Sequence, residues 1–277
     1  MCKDTDHYFE NKLIIITGGT SGIGLALARE LHNRNAKVIV LADKIERVKR
    51  TVECLAGNGA AFAGYTCDIG LPESVAGVSN SILTEHGVPD ILINNAGFAI
   101  YRTLEQEPAE EVERLISVNF AGAIRITKAF LGGMVARRSG HIVNVASIAG
   151  VIALTPNGIY SAAKHGMVAW SRCLALELAR FGISVTVVCP GRVMSRFFDH
   201  ETFQQRPHRK ETALVIPMTT VVDGILDAVR HRKLIRFVPR YYGIIAWALN
   251  ALGPLLQNPL NRLLRARVED LYLDAGR

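Results

Sequence analysis

A tyrosine and a lysine, Tyr160 and Lys164, are the residues of this sequence best suited to chemistry. They lie four positions apart in a segment of helical periodicity, Tyr160–Phe181, and therefore on one face of a helix. A neighbouring cation favours a phenolate, so we expect Lys164 to lower the pKa of Tyr160 from about 10 towards working pH. Such a phenol can protonate a ketone oxygen or deprotonate an alcohol. Ser147, at a predicted strand end, could bond the same oxygen.

A glycine-rich loop, TGGTSGIG at residues 17–24, lies between a predicted strand and a predicted helix. Glycine allows the backbone to turn sharply and to approach a pyrophosphate, and a helix N-terminus offers N–H groups to phosphates. This context favours nucleotide binding over a plain structural turn. The spacing is not that of a GxxxxGK[ST] loop, so NTP hydrolysis is not supported. The residues expected to bind the cofactor are Gly18, Thr20, Ser21, Gly22, Ile23 and Gly24.

Short apolar runs alternate along the chain with longer helical segments that would position these residues. The predicted strands are Lys12–Thr17, Lys37–Ala42, Ala61–Thr66, Asp90–Asn94, His141–Ser147, Ile183–Cys189 and Leu234–Val238. Their continuous apolar character is typical of strands buried on both faces of a parallel sheet. The predicted helices include Ile23–Arg34, Ser74–Glu85, Ala109–Arg137 and Tyr160–Phe181. The alternation predicts an α/β fold, a Rossmann-type doubly wound parallel sheet of about seven strands with helices on both faces.

The composition is that of a single globular domain over residues 1–277. Of the 277 residues, 49% are hydrophobic and 21% charged, enough apolar material for a large core, so general disorder is not expected. No apolar stretch opens the sequence, so we expect no signal peptide and a cytoplasmic protein. The five cysteines are scattered without CxxC or Cys/His spacing, so we expect reduced thiols and no metal site.

Together these motifs give the chain a recognisable likeness. It resembles the classical short-chain dehydrogenase/reductase family over roughly residues 12 to 195. The matching elements, in the family's order and spacing, are the Thr17–Gly24 loop, Asn94-Asn95-Ala96-Gly97, Asn119, Ser147, the Tyr160/Lys164 pair and Pro190-Gly191. The resemblance implies an NAD(P)-dependent oxidoreductase that interconverts an alcohol and a ketone or aldehyde.

The resemblance also implies a catalytic tetrad of Asn119, Ser147, Tyr160 and Lys164. Tyr160 would be the acid/base, and Ser147 would hold the carbonyl oxygen against it. Asn119 would break its helix locally and hold a water in a proton relay to Lys164. Lys164 would in addition bond the nicotinamide ribose.

Further cofactor contacts follow from the resemblance at several strand ends. Those expected beyond the glycine-rich loop and the Tyr160/Lys164 pair are Asn95, Ala96, Gly97, Pro190, Gly191, Val193 and Ser195. Asn95 would steady the sheet beneath the adenine ribose, and the backbone near Val193 would anchor the carboxamide. Asp68, with Ile69 after it, closes the third predicted strand. It either contacts the adenine ring or caps the next helix.

The choice between NAD and NADP depends on the end of the second strand. Ala42 occupies the position where NAD users of the family place an acidic residue, and Asp43 the position where NADP users often place arginine. A carboxylate at Asp43 would repel a 2′-phosphate, which favours NAD. Lys44, which follows directly, opposes this preference, so NADP stays open.

The substrate is expected to be a hydrophobic alcohol or ketone such as a lipid, a steroid or a retinoid. The long segment Arg192–Met218 follows the sixth strand and could cover it, since ligands bind outside the carboxyl ends of such strands. An alternative is a 3-oxoacyl-carrier reductase. An alternative of another class is a non-catalytic nucleotide-bound scaffold or sensor, although a scaffold has no need of the Tyr160/Lys164 pair.

The C-terminal extension, residues 237–277, is apolar and basic. It is too short in apolar residues to span a bilayer, which needs about twenty. In one interpretation it is part of the core and folds over the substrate cleft or a neighbouring subunit. In the other, residues 237–267 make peripheral contact with a membrane interface, with Tyr241, Tyr242 and Trp247 at headgroup level. No nucleic-acid-binding pattern accompanies its arginines. The resemblance suggests a homodimer or homotetramer, packed through the helices of Asn119 and Tyr160, where Ala162, Ala163 and Gly166 permit close approach.

Overall fold

The fold is known from a computed structural model that describes residues 6–55, 61–193, 201–204 and 215–252. Over these residues it confirms the predicted doubly wound α/β architecture. A single parallel sheet has the strand order β3-β2-β1-β4-β5-β6-β7. The strands are β1 Leu13–Thr17, β2 Lys37–Ala42, β3 Phe62–Thr66, β4 Ile91–Asn94, β5 Gly140–Val145, β6 Ile183–Pro190 and β7 Ile235–Val238.

Helices cover both faces of this sheet. They are α1 Gly22–Asn33, α2 Ile45–Leu55, α3 Pro72–Glu85, α4 Ala109–Ile116, α5 Gly122–Arg137, α6 Gly158–Ala179, α7 Glu201–Gln204, α8 Met218–Arg230 and α9 Tyr242–Ala251. The four named helices of the sequence analysis are present, with ends displaced by one or two residues apart from the break within residues 109–137. Helix α2 lies between the second and third strands, where no helix was predicted.

Two apolar clusters, one on each face of the sheet, form the main core. Along β1, Ile14 and Ile16 belong to one cluster and Ile15 to the other, and all three are fully buried. Alternate side chains of a strand point to opposite faces, so a strand buried on both faces must be apolar throughout. This explains the unbroken apolar runs in the sequence.

The predicted helix Ala109–Arg137 is interrupted. A π-helical turn, Ser117–Ala121, separates α4 from α5. The break expected around Asn119 is therefore present. By length and composition alone this run could cross a membrane, but in the fold α4 packs against α6 and α5 against α3. It is a core element of the domain.

Candidate active site

The glycine-rich loop joins β1 to α1 at the carboxyl edge of the sheet. Gly18 has a positive φ of 65°, and a Cβ there would lie 2.9 Å from Cα of Ala96. A Cβ at Gly24 would collide with the carbonyl oxygen of Gly18. Ser21, the residue before α1, does not cap the helix with its side chain, so the first-turn N–H groups are left for another partner. The loop therefore fits the pyrophosphate of a dinucleotide.

Asn95 ties this loop to the end of β4. Its Nδ2 donates to the carbonyl oxygens of Thr17, at 3.0 Å, and Gly18, at 3.3 Å. The Thr17 hydroxyl in turn accepts from the backbone N–H groups of Asn95 and Ala96, both at 3.0 Å. Asn95 thus links the ends of β1 and β4, while its position beneath the adenine ribose stays a prediction.

Ser147 and Tyr160 meet through their hydroxyl groups. Ser147 follows β5 and does not belong to it as predicted, because β5 ends at Val145 and Ser147 caps a short 3₁₀ turn, accepting from the N–H of Ala149 at 3.1 Å. Its side chain hydrogen-bonds the phenol of Tyr160. Leaving the strand frees the Ser147 hydroxyl to face the helix that carries Tyr160.

The expected lowering of the Tyr160 pKa by Lys164 is wrong for this structure. Burial raises the pKa of Tyr160 to about 12, the hydrogen bond from Ser147 lowers it in part, and the nearby Cys189 adds to the rise. Burial also lowers the pKa of Lys164 to about 8, against a smaller opposing effect of Cys189. Both charged forms are disfavoured because the pair lies in an apolar interior. At neutral pH Tyr160 is therefore a proton donor.

Lys164 lies under the tyrosine ring, with Nζ 5.7 Å from the ring centroid. The same nitrogen donates to the carbonyl oxygen of Val145, the last residue of β5, at 3.1 Å. Only 3% of Lys164 is exposed. A lysine this deeply buried is held in one geometry, which suits a group that orients a cofactor or relays a proton.

Asn119 is completely buried in the π turn. Its Nδ2 donates to the carbonyl oxygens of Phe98, at 2.9 Å, and Leu115, at 3.1 Å. Its Oδ1 has no hydrogen-bond partner among the described residues. A Cβ at Gly97 would collide with this Oδ1 and lie 3.5 Å from Nζ of Lys164. Asn119 and Lys164 therefore face the same small space, which exists because residue 97 is glycine.

Asp68 does not cap the next helix, since α3 begins after Leu71. Its carboxylate instead forms a bidentate ion pair with Arg114, at 3.0 and 2.8 Å, and accepts from the N–H of Gly70 at 2.9 Å. Burial alone would raise the pKa of Asp68, but these hydrogen bonds and the positive charges of Arg114 and Lys44 hold it below its usual value. Asp68 remains at the carboxyl edge of the sheet, where an adenine contact was predicted.

The end of β2 is charged. Asp43 and Lys44 follow it directly and are both exposed. A cavity of about 390 Å³ beside the glycine-rich loop is lined by Thr20, Ser21, Gly22, Leu25, Arg29, Arg47, Arg50, Thr51, Cys54, Leu55 and Met218. The three arginines were not among the cofactor residues predicted from the sequence. The signal for Arg47 and Arg50 was available, since both follow Lys44 within one or two turns of α2.

The end of β6 is covered by the C-terminal part of the chain. Pro190 pairs with Val238 of β7, and a Cβ at Gly191 would collide with the ring of Tyr242. Val193 forms an isolated parallel bridge with Ile216. Ser195 lies outside the described residues. A glycine is needed at position 191 because the start of α9 packs directly on the backbone there.

The surroundings of Tyr160 are apolar. It belongs to a separate cluster of buried side chains whose other members are Ala99, Ile100, Leu115, Ala149, Ala163 and Phe203. Phe203 lies on α7, within the predicted covering segment, and its ring centroid is 5.6 Å from that of Tyr101. The Thr202 hydroxyl accepts from the N–H of Tyr101 at 3.0 Å. The described part of segment 192–218 therefore packs against the residues next to Tyr160.

Comparison with known proteins places this arrangement in a family. The family model for short chain dehydrogenases matches residues 12–206. The chain belongs to the short-chain dehydrogenase family. This family likeness covers the glycine-rich loop, Asn119, Ser147 and the Tyr160/Lys164 pair, and it makes the chain an oxidoreductase that uses NAD(P).

Some similar proteins have a named activity and others do not. A putative ketoacyl reductase of Streptomyces coelicolor is 37% identical over 190 residues, covering 66% of this chain and 71% of its own. The uncharacterized oxidoreductase YbbO of Escherichia coli is 32% identical over 267 residues, covering 95% and 94%. A short-chain dehydrogenase from Sphingobium yanoikuyae, solved in complex with NADPH, has a TM-score of 0.77 at 27% identity and covers 88% of this chain and 94% of its own.

Proposed function

We propose that this short-chain dehydrogenase interconverts a hydrophobic alcohol and its ketone or aldehyde, with Asn119, Ser147, Tyr160 and Lys164 as the catalytic residues. The observation that carries the proposal is the hydrogen-bonded pair of hydroxyl groups. Ser147 and Tyr160 share a hydrogen bond, Lys164 lies under the tyrosine ring, and the glycine-rich loop follows β1, which β4 separates from β5 at the same edge of the sheet. A carbonyl oxygen between the two hydroxyls would be polarised and ready to accept a proton.

Each residue has a distinct part in the reduction. The nicotinamide cofactor supplies the hydride to the carbonyl carbon when it is bound. Ser147 orients the carbonyl oxygen, and Tyr160, whose raised pKa keeps it protonated at neutral pH, donates its phenolic proton to that oxygen. Lys164 stabilises the phenolate that results, and Asn119 Oδ1 faces the space through which Lys164 can recover a proton. The oxidation runs through the same groups in reverse.

The hydrophobic nature of the substrate is inferred from the lining around Tyr160. Phe203, Tyr101, Ile100 and Leu154 belong to or pack on the apolar cluster that contains Tyr160. Apolar surface removed from water contributes about 25 cal/mol per Å², so this lining favours apolar over sugar-like substrates. The test is a panel of apolar and polar ketones assayed by absorbance of the reduced cofactor. A clear preference for polar substrates would refute this part of the proposal.

A second candidate is the reduction of a 3-oxoacyl group attached to a carrier. It is favoured by the similarity to the putative ketoacyl reductase of Streptomyces coelicolor. A carrier arm would have to enter past α7 and α9, which flank the site. Comparing kcat/KM for a 3-oxoacyl thioester with that for a ketone of equal chain length separates the two candidates, because only a carrier enzyme gains from the thioester arm.

We propose that the chain prefers NAD as its cofactor, with NADP as the alternative. Asp43 disfavours a 2′-phosphate by repulsion, whereas Lys44 and the arginines of the neighbouring cavity attract one. The repulsion by Asp43 dominates because Asp43 directly follows β2, next to the expected ribose. We expect binding titrations to give a lower Kd for NADH than for NADPH.

We also propose that copies of the chain associate through α6, but not through Ala163 and Gly166 as predicted. Ala163 is buried within the chain, and Gly166 packs against the Phe120 ring. The outward face of α6 instead carries Ala162, Ala169, Cys173 and Leu176, the last with 82% of its surface exposed. An exposed leucine among small residues suits a helix packed against a second copy. Light scattering of Leu176→Glu, expected to be monomeric, tests this face.

A peripheral membrane contact is proposed for α9. Among the residues of α9, Ala246 is the one classed as buried, while Ile244 and Trp247 are each 70% exposed. Nearby, Asp227 faces four basic groups, His231, Lys233, Arg236 and Arg240, which leaves a positive excess. Apolar side chains beside cations fit the surface of an anionic bilayer.

The membrane contact can be tested on the full chain. Co-sedimentation with vesicles containing phosphatidylserine should be lost in the double variant Ile244→Ser, Trp247→Ser. Leu104→Ser removes an equally exposed apolar side chain elsewhere and should leave binding unchanged. If the double variant instead changes the oligomeric state without changing vesicle binding, a second copy covers α9 and the membrane proposal fails.

A further inference from the structure

The guanidinium group of Arg125 joins the π turn to the loop after β3. Its Nη1 donates to the carbonyl oxygens of Ile69, at 3.3 Å, and Gly70, at 3.2 Å. The same atom donates to the carbonyl oxygen of Ser117, at 3.2 Å, and to its hydroxyl, at 3.1 Å. One nitrogen thus faces four oxygens from two segments that are distant in sequence.

Ser117 completes this junction from its own side. Its hydroxyl donates to the carbonyl oxygen of Gly70 at 2.9 Å, and its carbonyl oxygen accepts the N–H of Gly122 that closes the π turn. Arg114 adds a second link through its bidentate pair with Asp68. Two arginines therefore hold the segment 114–121 to residues 68–70.

This junction joins the π turn, which contains Asn119, to residues 68–70, which include the expected adenine contact. A π turn is a wide, unfavourable form of helix that persists where its surroundings fix it. Asn119 lies in the middle of that turn, and its side chain must reach past Gly97 to face Lys164. Asp68 and Ile69 are the residues proposed to contact the adenine end of the cofactor.

We propose that Arg125 is a positioning residue that holds Asn119 in register with residues 68–70 of the loop after β3. It touches none of the reacting atoms and acts through the π turn. Binding of the cofactor against residues 68–69 then reinforces the placement of Asn119, and loss of Arg125 weakens both. The inference rests on the proposed function, because the catalytic part of Asn119 belongs to it.

The same helix offers a matched control. Arg137, at the other end of α5, donates to the carbonyl oxygens of Val88, at 3.1 Å, and Pro89, at 2.9 Å. It makes the same kind of contact at the opposite edge of the sheet, away from Tyr160. Arg137 also forms an ion pair with Asp90 at 3.3 Å, so Arg137→Met removes an ion pair in addition to hydrogen bonds to backbone carbonyls. The two variants differ in which segments lose these contacts.

The first measurement does not depend on activity. Amide hydrogen exchange of the full chain should show residues 117–121 losing protection in Arg125→Met and keeping it in Arg137→Met. Unchanged protection in Arg125→Met would overturn the proposal, whatever the enzyme's substrate. Should Arg125→Met fail to fold, Arg125→Lys and Ser117→Ala replace it, since each removes part of the junction.

The second measurement is kinetic. A displaced catalytic group can cost about ten- to a hundredfold in rate, so we expect kcat to fall by that factor in Arg125→Met, with KM for the cofactor raised, and by less than about twofold in Arg137→Met. If Arg125 acts through Asn119, the double variant Arg125→Met, Asn119→Ala should be no slower than Asn119→Ala alone. Additive losses would overturn this route. An Asn119→Ala variant with full activity would instead refute the proposed function.

Discussion

Nζ of Lys164 lies 5.7 Å from the centroid of the Tyr160 ring and donates its hydrogen bond to the carbonyl oxygen of Val145, at 3.1 Å. The cation thus lies against the ring face while its hydrogen bond goes to the backbone. This geometry leaves the Tyr160 hydroxyl to Ser147, and it leaves the proton of the tyrosine in place until a substrate oxygen takes it.

Replacing Tyr160 by phenylalanine should abolish turnover. General acid–base groups typically contribute about a hundred- to ten-thousandfold in rate, and we expect kcat to fall within that range. Cofactor binding, measured by titration calorimetry, should remain nearly intact because only a hydroxyl is lost. Tyr65→Phe is the control, since burial and Glu85 likewise raise the pKa of Tyr65 to about 12. Tyr65 lies on β3, where its hydroxyl contacts Glu85 and His86 and not the catalytic residues. Near-normal activity of Tyr160→Phe would contradict the mechanism.

The rate of ketone reduction should fall as the pH rises through about 8. Burial lowers the pKa of Lys164 to about 8, so Lys164 is a cation below that pH and neutral above it. The cation stabilises the phenolate that forms on Tyr160, so its loss slows the proton transfer. The measurement is kcat of reduction between about pH 6 and about pH 10 under cofactor saturation. A flat profile across this interval would show that Lys164 does not act through its charge.

Gly97→Ala should disable the enzyme although it adds one methyl group. The new Cβ would collide with Oδ1 of Asn119 and crowd Nζ of Lys164. We expect a loss of about a hundredfold in kcat, the cost of misplacing catalytic groups by about 1 Å. Gly132→Ala is the matched control, because a Cβ at this exposed position of α5 meets no atom within 4 Å. It should keep full activity and gain up to about 1 kcal/mol of stability.

Asp43→Ala should move the cofactor preference towards NADP. Removing the carboxylate ends its repulsion of a 2′-phosphate, while the basic residues of the neighbouring cavity remain. Lys44→Ala and Arg47→Gln should move the preference the other way if their side chains reach the phosphate. The measurement is the ratio of kcat/KM for the two cofactors in each variant. Equal ratios in all variants would place the ribose away from the end of β2.

Local sequence patterns were sufficient for the fold, and together with the family resemblance they were sufficient to propose the site residues. Unbroken apolar runs such as 13–17 predict strands buried on both faces, and the loop 17–24 needs glycines at Gly18 and Gly24 for reasons of local backbone geometry. Tyr160 and Lys164 share a helix face because of their spacing. These features depend on periodicity and on neighbours in sequence, which a single chain displays directly.

The tertiary structure decided the electrostatics and the supporting contacts. The burial of Tyr160 and Lys164 could not be seen from the sequence, so the direction of the Tyr160 pKa shift was predicted wrongly. The partners of Asp68 and Arg125, namely Arg114 and the carbonyl groups of residues 69–70, are more than forty positions away in sequence. Burial and long-range hydrogen bonds arise only when distant segments pack together, and no local pattern encodes them.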